Sequence, residues 1–341
     1  MTATTMVTRD APSSTKPRLG FLGVGWIGRH RMGAIAESGA AEIAAIADAS
    51  AIALESAREH APKCEVASSL EEMLEAGLDG VVIATPSAMH AAQAIEALER
   101  GVAVFCQKPL ARTARETQRV IEAACAADRL LGVDLSYRFT EGMQRIRRLV
   151  RNGELGSIYA VDLVFHNAYG PDKPWFFDPR LSGGGCVIDL GIHLVDLALW
   201  TLDFPRVARA TSRLFSGGEP LRDALTQVED FAEARLDLES GATVRLACSW
   251  NLPAGRDAVI EASFYGTSGG AAMRNVNGSF FDFRAERFRG TACETLSEPP
   301  DAWGGRAAVV WARQLERSNR FDPDIGNLVS VAAALDAIYG R

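Results

Sequence analysis

The feature that most constrains the fold is a glycine-rich turn, Gly23–Gly28 (GVGWIG), which follows an apolar run and opens a helical pattern. Glycines spaced G-x-G-x-x-G permit a tight turn and let the backbone approach a pyrophosphate at the N-terminus of the helix. Asp48 stands twenty residues after Gly28, at the end of the next apolar run. A carboxylate at that place accepts hydrogen bonds from an adenosine ribose. The residues predicted to hold a dinucleotide here are Gly23, Gly25, Trp26, Ile27, Gly28 and Asp48.

The residues after Asp48 bear on which dinucleotide is bound. Ala49 and Ser50 follow it, and neither carries the positive charge that a ribose 2′-phosphate requires. We therefore predict NAD as the cofactor. Arg58, in the following helical pattern, leaves NADP open as the alternative.

The first half of the chain alternates short apolar runs with helical patterns, which predicts a doubly wound parallel sheet buried on both faces. The runs that we interpret as strands are 18–24, 43–48, 80–85, 103–106 and 130–134. The helical patterns are 26–39, 49–60, 69–76, 90–100 and 114–127.

The second half has the strict alternation of a sheet with one polar face, so we predict an α+β domain with a large, mainly antiparallel open sheet. The alternating segments are 157–167, 207–216, 229–237, 242–250, 259–265 and 280–288. Helical patterns are found at 187–202, 306–318 and 325–339.

Three segments result from this division. Residues 1–17, rich in Ser, Thr, Ala and Pro, are predicted to be a disordered lead-in. Residues 18–137 are predicted to be a dinucleotide-binding Rossmann domain, and 138–341 a domain for substrate binding and oligomerisation. We expect the closing helices of the second domain to pack back on the first.

Composition excludes several other classes of protein. A net charge of −7 without a basic cluster argues against nucleic-acid binding. No apolar run approaches the roughly 20 residues of a membrane helix. The six cysteines are scattered without a C-x-x-C pair, so neither a metal site nor a disulfide framework is predicted. We expect a reduced, cytoplasmic protein.

Two further motifs lie at predicted strand ends, where ligands of open α/β sheets bind. The first, Ala84–His90 (ATPSAMH), would contribute Thr85, Pro86, Ser87 and His90 to the cofactor site. Its alternative role is structural, with Ser87 as a helix N-cap. The second, Cys106–Leu110 (CQKPL), would contribute Gln107 and Lys108, and its alternative is a solvated surface lysine.

A fourth motif, Gly183–Asp196 (GGGCVIDLGIHLVD), leads three glycines into a helix. Asp189 and His193 are four residues apart and share one helix face. A carboxylate beside an imidazole raises its pKa and fixes its orientation, which suits a general acid–base pair. A surface ion pair is the alternative interpretation.

Together these motifs resemble the glucose–fructose oxidoreductase/inositol dehydrogenase/rhizopine-catabolism (Gfo/Idh/MocA) family over about residues 17–340. Trp175 and Asp178-Pro179 also match the usual lead-in to the glycines. The matching motifs are Ala84–Pro86 with His90, Lys108–Leu110, Tyr137–Phe139, and Ser182–Gly185 with Asp189 and His193.

The resemblance implies hydride transfer between a nicotinamide cofactor and a carbinol of a sugar, polyol or inositol-like cyclic alcohol. It implies that His193 is the general base, that Asp189 orients it or binds substrate, and that Lys108 polarises the reacting oxygen. Substrate contacts are expected from Tyr137, Arg138, Trp175, Asp189 and His193. Two alternatives remain: a non-catalytic dinucleotide or sugar sensor, and a nicotinamide-dependent enzyme without net redox turnover.

One departure from the family pattern is Gln107, which stands where the family's Glu-Lys-Pro motif has glutamate. The amide keeps hydrogen-bonding capacity but leaves Lys108 without its usual neighbouring anion. The resemblance implies assembly into oligomers, which is common in the family. One face of the C-terminal sheet would be buried in such an oligomer, so we predict a homodimer or homotetramer formed through that sheet.

Overall fold

A computed structural model describes residues 16–341. The predicted disordered lead-in at 1–17 therefore lies almost wholly outside the described residues. The described chain forms two sheets, one of six strands followed by one of nine. This is the predicted fold class: a doubly wound parallel sheet followed by an α+β domain with a large, mainly antiparallel sheet.

The first sheet is parallel throughout, with strand order 3-2-1-4-5-6. Its strands are β1 (Arg18–Leu22), β2 (Glu42–Ala47), β3 (Glu65–Val66), β4 (Gly80–Ile83), β5 (Ala103–Cys106) and β6 (Leu131–Val133). Its helices are α1 (Trp26–Ser38), α2 (Ala51–Arg58), α3 (Leu70–Leu74), α4 (Ser87–Glu99) and α5 (Ala114–Ala127). Strand β3 is not predicted by the sequence, because its two exposed residues carry no periodic signal.

The order of these strands reverses between β1 and β4. In an open α/β sheet that reversal leaves a crevice outside the carboxyl ends of the strands, where ligands bind. The glycine turn follows β1, Asp48 follows β2, Thr85 follows β4 and Lys108 follows β5. The fold therefore collects the predicted cofactor residues along one edge of the sheet.

The second sheet has nine strands in the order 15-14-13-12-7-11-10-8-9, where strands are numbered along the whole chain. Within the described residues, only strands 7 and 11 of the chain pair in parallel in this sheet. Its strands are β7 (Ile158–Asn167), β8 (Val207–Ser216), β9 (Glu219–Pro220), β10 (Phe231–Leu238), β11 (Thr243–Ser249), β12 (Ala258–Gly266), β13 (Gly269–Asn275), β14 (Phe283–Arg289) and β15 (Ala292–Ser297). Its helices are α6 (Glu141–Arg151), α7 (Pro179–Ser182), α8 (Ile192–Thr201), α9 (Arg306–Arg317) and α10 (Leu328–Tyr339).

Helix α6 was not predicted, because its many arginines mask the apolar pattern. Thr140 caps its N-terminus by accepting a hydrogen bond from the Met143 amide. Met143, Ile146 and Leu149, spaced three residues apart, form its buried stripe. Short 3₁₀ turns at 136–139, 174–177 and 323–327 and a π-helical turn at 187–191 complete the described elements.

Helix α8 is the core of the second domain, since all ten of its residues are buried. The helical stretch 179–201 is long and apolar enough to cross a bilayer by length and composition. However, 83% of its most apolar window is buried inside the protein, as expected of a core helix.

The face of the second sheet that points away from the helices is largely polar. Arg245 pairs with Asp162 across β11 and β7, and Arg274 pairs with Glu261 across β13 and β12. Such exposed pairs contribute little to stability. Their main effect is to make this face compatible with water.

Helix α9 returns from the second domain to the first and packs on its sheet. The Trp311 ring lies 5.5 Å from the Phe105 ring, measured between centroids. A Cβ at Gly80 or Gly132 would lie 2.7 Å or 2.6 Å from the same indole. These two strand positions therefore need glycine so that the tryptophan can approach the sheet.

Candidate functional site

The glycine turn after β1 has the shape that a dinucleotide requires. Gly23 has φ of +87°, and a Cβ there would lie 2.5 Å from the Ala84 carbonyl oxygen. A Cβ at Gly28 would lie 2.1 Å from the Gly23 carbonyl oxygen. Nothing lies within 4 Å of a Cβ at Gly25, so the turn opens outward there. No side chain caps α1 and its first turn holds no acid, which leaves backbone N–H groups for an anion.

Asp48 is fixed at the end of β2 by two backbone amides. One carboxylate oxygen accepts from the Val24 amide at 2.8 Å and the other from the Ser50 amide at 2.8 Å. Each oxygen retains a further lone pair for a ribose hydroxyl. The cradle and this carboxylate therefore fit the adenosine end of a nicotinamide dinucleotide.

The strand-end motif after β4 is partly structural. His90 is 1% exposed, and its two ring nitrogens lie 2.7 Å from the carbonyl oxygens of Thr85 and Pro109. Burial lowers the pKa of this imidazole. His90 therefore braces two loops, and its predicted contact with a cofactor stays a prediction. Ser87 is the first residue of α4 and Pro86 is its N-cap, so the alternative interpretation of Ser87 as the cap is wrong.

Lys108 lies between the two domains and binds Asp189. Its ammonium donates to the Asp189 side chain and to the Asp189 carbonyl oxygen, both at 2.7 Å. The other Asp189 carboxylate oxygen accepts from the Trp250 indole N–H at 3.0 Å. Asp189 is therefore the anion that pairs with Lys108 in this chain, in which the neighbouring residue Gln107 is neutral. An ammonium has three N–H groups, so one remains for a ligand.

His193 is next to this pair but does not bond to Asp189, whose two oxygens are engaged by Lys108 and Trp250. Its Nδ1 is buried without a partner in the described part of the chain. Burial, and to a lesser degree the charges of Lys108 and Arg31, hold the pKa of His193 well below its usual value. The predicted carboxylate–imidazole pair with a raised pKa is therefore wrong; the imidazole is neutral at neutral pH.

Aromatic rings pack around His193. The Tyr137 ring lies 4.8 Å from the His193 ring and 4.8 Å from Trp303, and Phe165 lies 5.8 Å from Tyr137. Burial raises the pKa of Tyr137, so the phenol keeps its proton and is a hydrogen-bond donor. This brings the predicted residue Tyr137 into the cleft beside His193.

Trp175 reaches the site through a chain of rings. It stacks on Phe176 with centroids 3.8 Å apart, and Phe176 and Phe177 contact the edge of Trp250. The segment that carries them ends in α7, which packs against α4 of the first domain. Trp175 thus lies in a segment that bridges the two domains.

Arg138 is placed differently from our expectation. It forms a bidentate ion pair with the buried Asp196, with one contact of 2.7 Å from Nε, and its guanidinium also lies over the rings of Trp200 and Phe204. Burial raises the pKa of Asp196, and Arg138 opposes this rise. Arg138 therefore braces α8 and is not free to bind substrate.

Gln107 belongs to a buried polar cluster behind Lys108. Its amide donates to Asp134 at 2.6 Å, and the same carboxylate oxygen accepts from Arg31 Nε at 2.5 Å. Ser136 donates to the other Asp134 oxygen and accepts from Arg31 at 3.0 Å. Every neighbour of Asp134 is a donor, so the Gln107 amide nitrogen must face it. The carbonyl oxygen of Gln107 then points away from Asp134.

Several residues of this site are not among those predicted from the sequence. Asp134 had a usable signal, because it ends a predicted strand just as Asp48 does. Trp250 also ends a predicted strand, but nothing local identifies its partner 61 residues earlier. Arg31 lies three residues beyond the glycine turn, and its role depends on Asp134.

Two family models match the chain. One, described as the oxidoreductase family with an NAD-binding Rossmann fold, matches residues 18–135, and the GFO/IDH/MocA C-terminal domain matches 143–272. The rhizopine catabolism protein MocA of Rhizobium meliloti is 33% identical over 76% of this chain and 79% of its own. D-glucoside 3-dehydrogenase of Escherichia coli is 30% identical over 57% of this chain; the match spans 58% of that relative's length.

The fold is also that of a solved structure. Levoglucosan dehydrogenase, in complex with NADH and levoglucosan, superposes with a TM-score of 0.80 over 96% of this chain and 97% of that one. Its sequence identity is 21%, so this likeness concerns the fold alone.

The buried cluster predicts that restoring the family residue is harmful. Gln107→Glu places a second carboxylate against Asp134 in a site that excludes water, and we expect a loss of about 3 kcal/mol in unfolding free energy. Adding Asp134→Asn removes the second of the two facing carboxylates and should recover part of the loss. Denaturant unfolding of the single and double variants measures both effects.

The matched control is Gln118→Glu. Gln118 also donates to a carboxylate, that of Glu122 at 2.9 Å, but in an exposed position. Its change should alter the unfolding free energy by no more than about 0.5 kcal/mol. Equal losses at 107 and 118, or a double variant no better than Gln107→Glu, would contradict this account of the cluster.

Proposed function

The chain belongs to the Gfo/Idh/MocA oxidoreductase family, and from that premise we propose that it transfers a hydride between a nicotinamide cofactor and a carbinol of a sugar or polyol. The observation that carries the proposal is the meeting of Lys108, Asp189 and His193 beside the dinucleotide cradle. Lys108 comes from the first domain and the other two from the second. A substrate between the domains would meet all three.

We propose NAD as the cofactor. Asp48 accepts from two amides and keeps lone pairs for the 2′- and 3′-hydroxyls of a ribose, whereas a 2′-phosphate would face its charge. Arg58 lies in the last turn of α2, about 10 Å along the helix from its start beside Ser50. That distance argues against Arg58 as a phosphate ligand.

The chain's own groups support acid–base chemistry at the carbinol. The nicotinamide, when bound, supplies the hydride acceptor or donor. His193 is neutral and so can accept the hydroxyl proton, while the remaining N–H of Lys108 stabilises negative charge on the reacting oxygen. Asp189 holds the ammonium in place, and Trp250 holds Asp189. The role of Asp189 is thus to orient Lys108, not His193.

The substrate class rests on the relatives' names and on the lining of the cleft. D-glucoside 3-dehydrogenase supports a sugar, and an inositol-like ring has the same secondary carbinols. The phenol of Tyr137 offers a hydrogen-bond donor, and Trp175 offers an aromatic face. Such surfaces suit a ring with both hydroxyls and apolar C–H faces.

The cofactor proposal predicts a selective thermal shift. NAD⁺ or NADH at about 100 times its dissociation constant should stabilise the protein by ~2.7 kcal/mol, a few degrees in Tm. NADP⁺ and NADPH should give a smaller shift. Asp48→Ala should reduce the NAD(H) shift, whereas Asp324→Asn, in an exposed turn, should not.

A larger shift with NADP(H) would overturn the choice of cofactor but keep the enzyme. No shift with any of the four dinucleotides would instead favour a sensor or a degenerate site. Binding of NAD⁺ with product formed but no net NADH would indicate catalysis without net redox turnover.

The state of His193 predicts a particular pH dependence. Because its folded-state pKa is lowered, the base form persists below pH 6.5, and kcat/KM for oxidation should fall only at more acidic pH. His193→Ala and Lys108→Ala should each reduce turnover ~10²-fold or more, and His193→Ala should also remove the acidic limb. Lys63→Ala, at an exposed position, is the control. Turnover near wild type in both site variants would refute the assignment.

We also propose a homodimer or homotetramer formed through the outer face of the second sheet. Support comes from its breadth of nine strands and from the exposed Tyr159 within its polar surface. Light scattering at micromolar concentration should give two or four times the mass of one chain, whereas a monomer mass would remove the proposal.

A cytoplasmic location is proposed from the cysteines. All six are free thiols. Cys186 and Cys248 remain unbonded although their sulfur atoms lie 3.8 Å apart in the core. Reduced thiols at this spacing fit a reducing compartment.

A further inference from the structure

We propose that Glu229 and Tyr339 are positioning residues that hold the segment carrying Asp189 and His193 against Lys108. This inference rests on the function proposed above. Neither residue contacts the cleft groups directly, so each would act through the backbone of the glycine segment.

Glu229 is fully buried and its carboxylate receives hydrogen bonds from three groups. The Val187 amide donates at 2.8 Å, the Gly185 amide at 3.0 Å and the Tyr339 hydroxyl at 2.7 Å. The Glu229 carbonyl oxygen also accepts from the Cys186 amide at 3.0 Å. Three consecutive backbone amides, 185–187, are thus tied to one residue.

The contact with Glu229 and Tyr339 requires glycine at positions 184 and 185 of this segment. A Cβ at Gly185 would lie 1.9 Å from the Glu229 carbonyl oxygen, and a Cβ at Gly184 would lie 2.0 Å from the Tyr339 hydroxyl. The backbone therefore approaches the two residues more closely than any side chain would allow. The sequence G-G-G serves this packing, since the predicted dinucleotide cradle lies elsewhere.

The clamped amides open the helical stretch of the site. Val187 begins the π-helical turn 187–191, Asp189 lies within that turn, and His193 follows in the first turn of α8. A carboxylate at a helix N-terminus satisfies amides that have no partner inside the helix and interacts favourably with its dipole. Fixing these amides fixes how far the Asp189 carboxylate stands from the Lys108 ammonium.

Tyr339 connects the hydrogen-bonded group around Glu229 to helix α10. Its side chain is partly buried, and the Arg341 guanidinium lies over its ring at 4.6 Å. Arg341 also donates to the carbonyl oxygens of Gly183 and Arg112, at 3.0 Å and 3.1 Å. The C-terminal end of α10 is therefore connected to the glycine segment in two ways. Arg341 binds the Gly183 carbonyl oxygen, and Tyr339 binds the Glu229 carboxylate, which in turn accepts from the backbone amides of that segment.

The test uses the full chain with Glu229→Gln and Tyr339→Phe. Gln keeps the shape and one acceptor, while Phe removes only the hydroxyl. We expect hydrogen exchange of the backbone at 185–191 to rise at least tenfold in both variants. The Kd for NAD⁺, measured by quenching of intrinsic fluorescence, should change less than twofold, because the cradle lies in the other domain.

On the sugar or polyol that the wild-type chain oxidises, kcat should fall about tenfold or more while the NAD⁺ KM stays constant, because small misplacements of catalytic groups slow the reaction steeply. Ser212→Ala is the matched control. It loosens the same helix by removing the hydrogen bond from Ser212 to the Ile338 carbonyl oxygen, at 2.5 Å, but leaves the glycine segment untouched.

The outcomes separate the two levels of proposal. Unchanged exchange at 185–191 in both variants, or equal losses of kcat in Ser212→Ala, would overturn the positioning role. Increased exchange in a chain that oxidises no sugar or polyol would support the clamp and reject the proposed function instead. If Glu229→Gln does not fold, Tyr339→Phe alone decides the question.

Discussion

The ion pair between Lys108 and Asp189 is the contact on which the geometry of the site depends. It joins the end of a parallel strand in one domain to the helical turn of the other, and both side chains are mostly shielded from water. A shielded pair is favourable only when its remaining hydrogen-bonding groups are satisfied. Trp250 satisfies the second carboxylate oxygen, and the Asp189 carbonyl satisfies a second ammonium proton. The distance between the domains is therefore set by a polar contact with little freedom.

The cluster behind Lys108 gives the neutral side chain at position 107 a defined structural role. The family pattern has a glutamate at 107, where this chain has a neutral amide. Asp134 supplies a carboxylate one strand away, and Arg31 neutralises it. The amide at 107 is then required as a donor, because a carboxylate there would face the Asp134 carboxylate. In a sequence comparison limited to the Glu-Lys-Pro motif, the glutamine at 107 would look like the loss of a functional carboxylate.

Sequence reasoning succeeded where a residue's role follows from its own strand or helix. The glycine turn, Asp48 and Lys108 all stand at strand ends, and parallel topology brings strand ends to one edge. It failed where a residue distant in the sequence binds a side chain for which another partner was predicted. Asp189 and His193 share a helix face as predicted, but Lys108 and Trp250 engage the carboxylate. Arg138 and His90 were predicted to bind ligands. The sequence around them does not show that Arg138 pairs with Asp196, or that the His90 ring nitrogens face two backbone carbonyl oxygens.

Because α9 packs on the first sheet, the folded core of the first domain extends beyond the residues that the Rossmann family model matches. The family model of the Rossmann part ends at residue 135, yet Trp311 lies over Gly80, Gly132 and Phe105 of that sheet. A fragment that stopped at the homology boundary would leave this apolar patch open to water. The first domain is thus an inherited module that cannot complete its own core. Removing α9 would therefore lower the stability of the first half of the chain, although that helix lies in the second half.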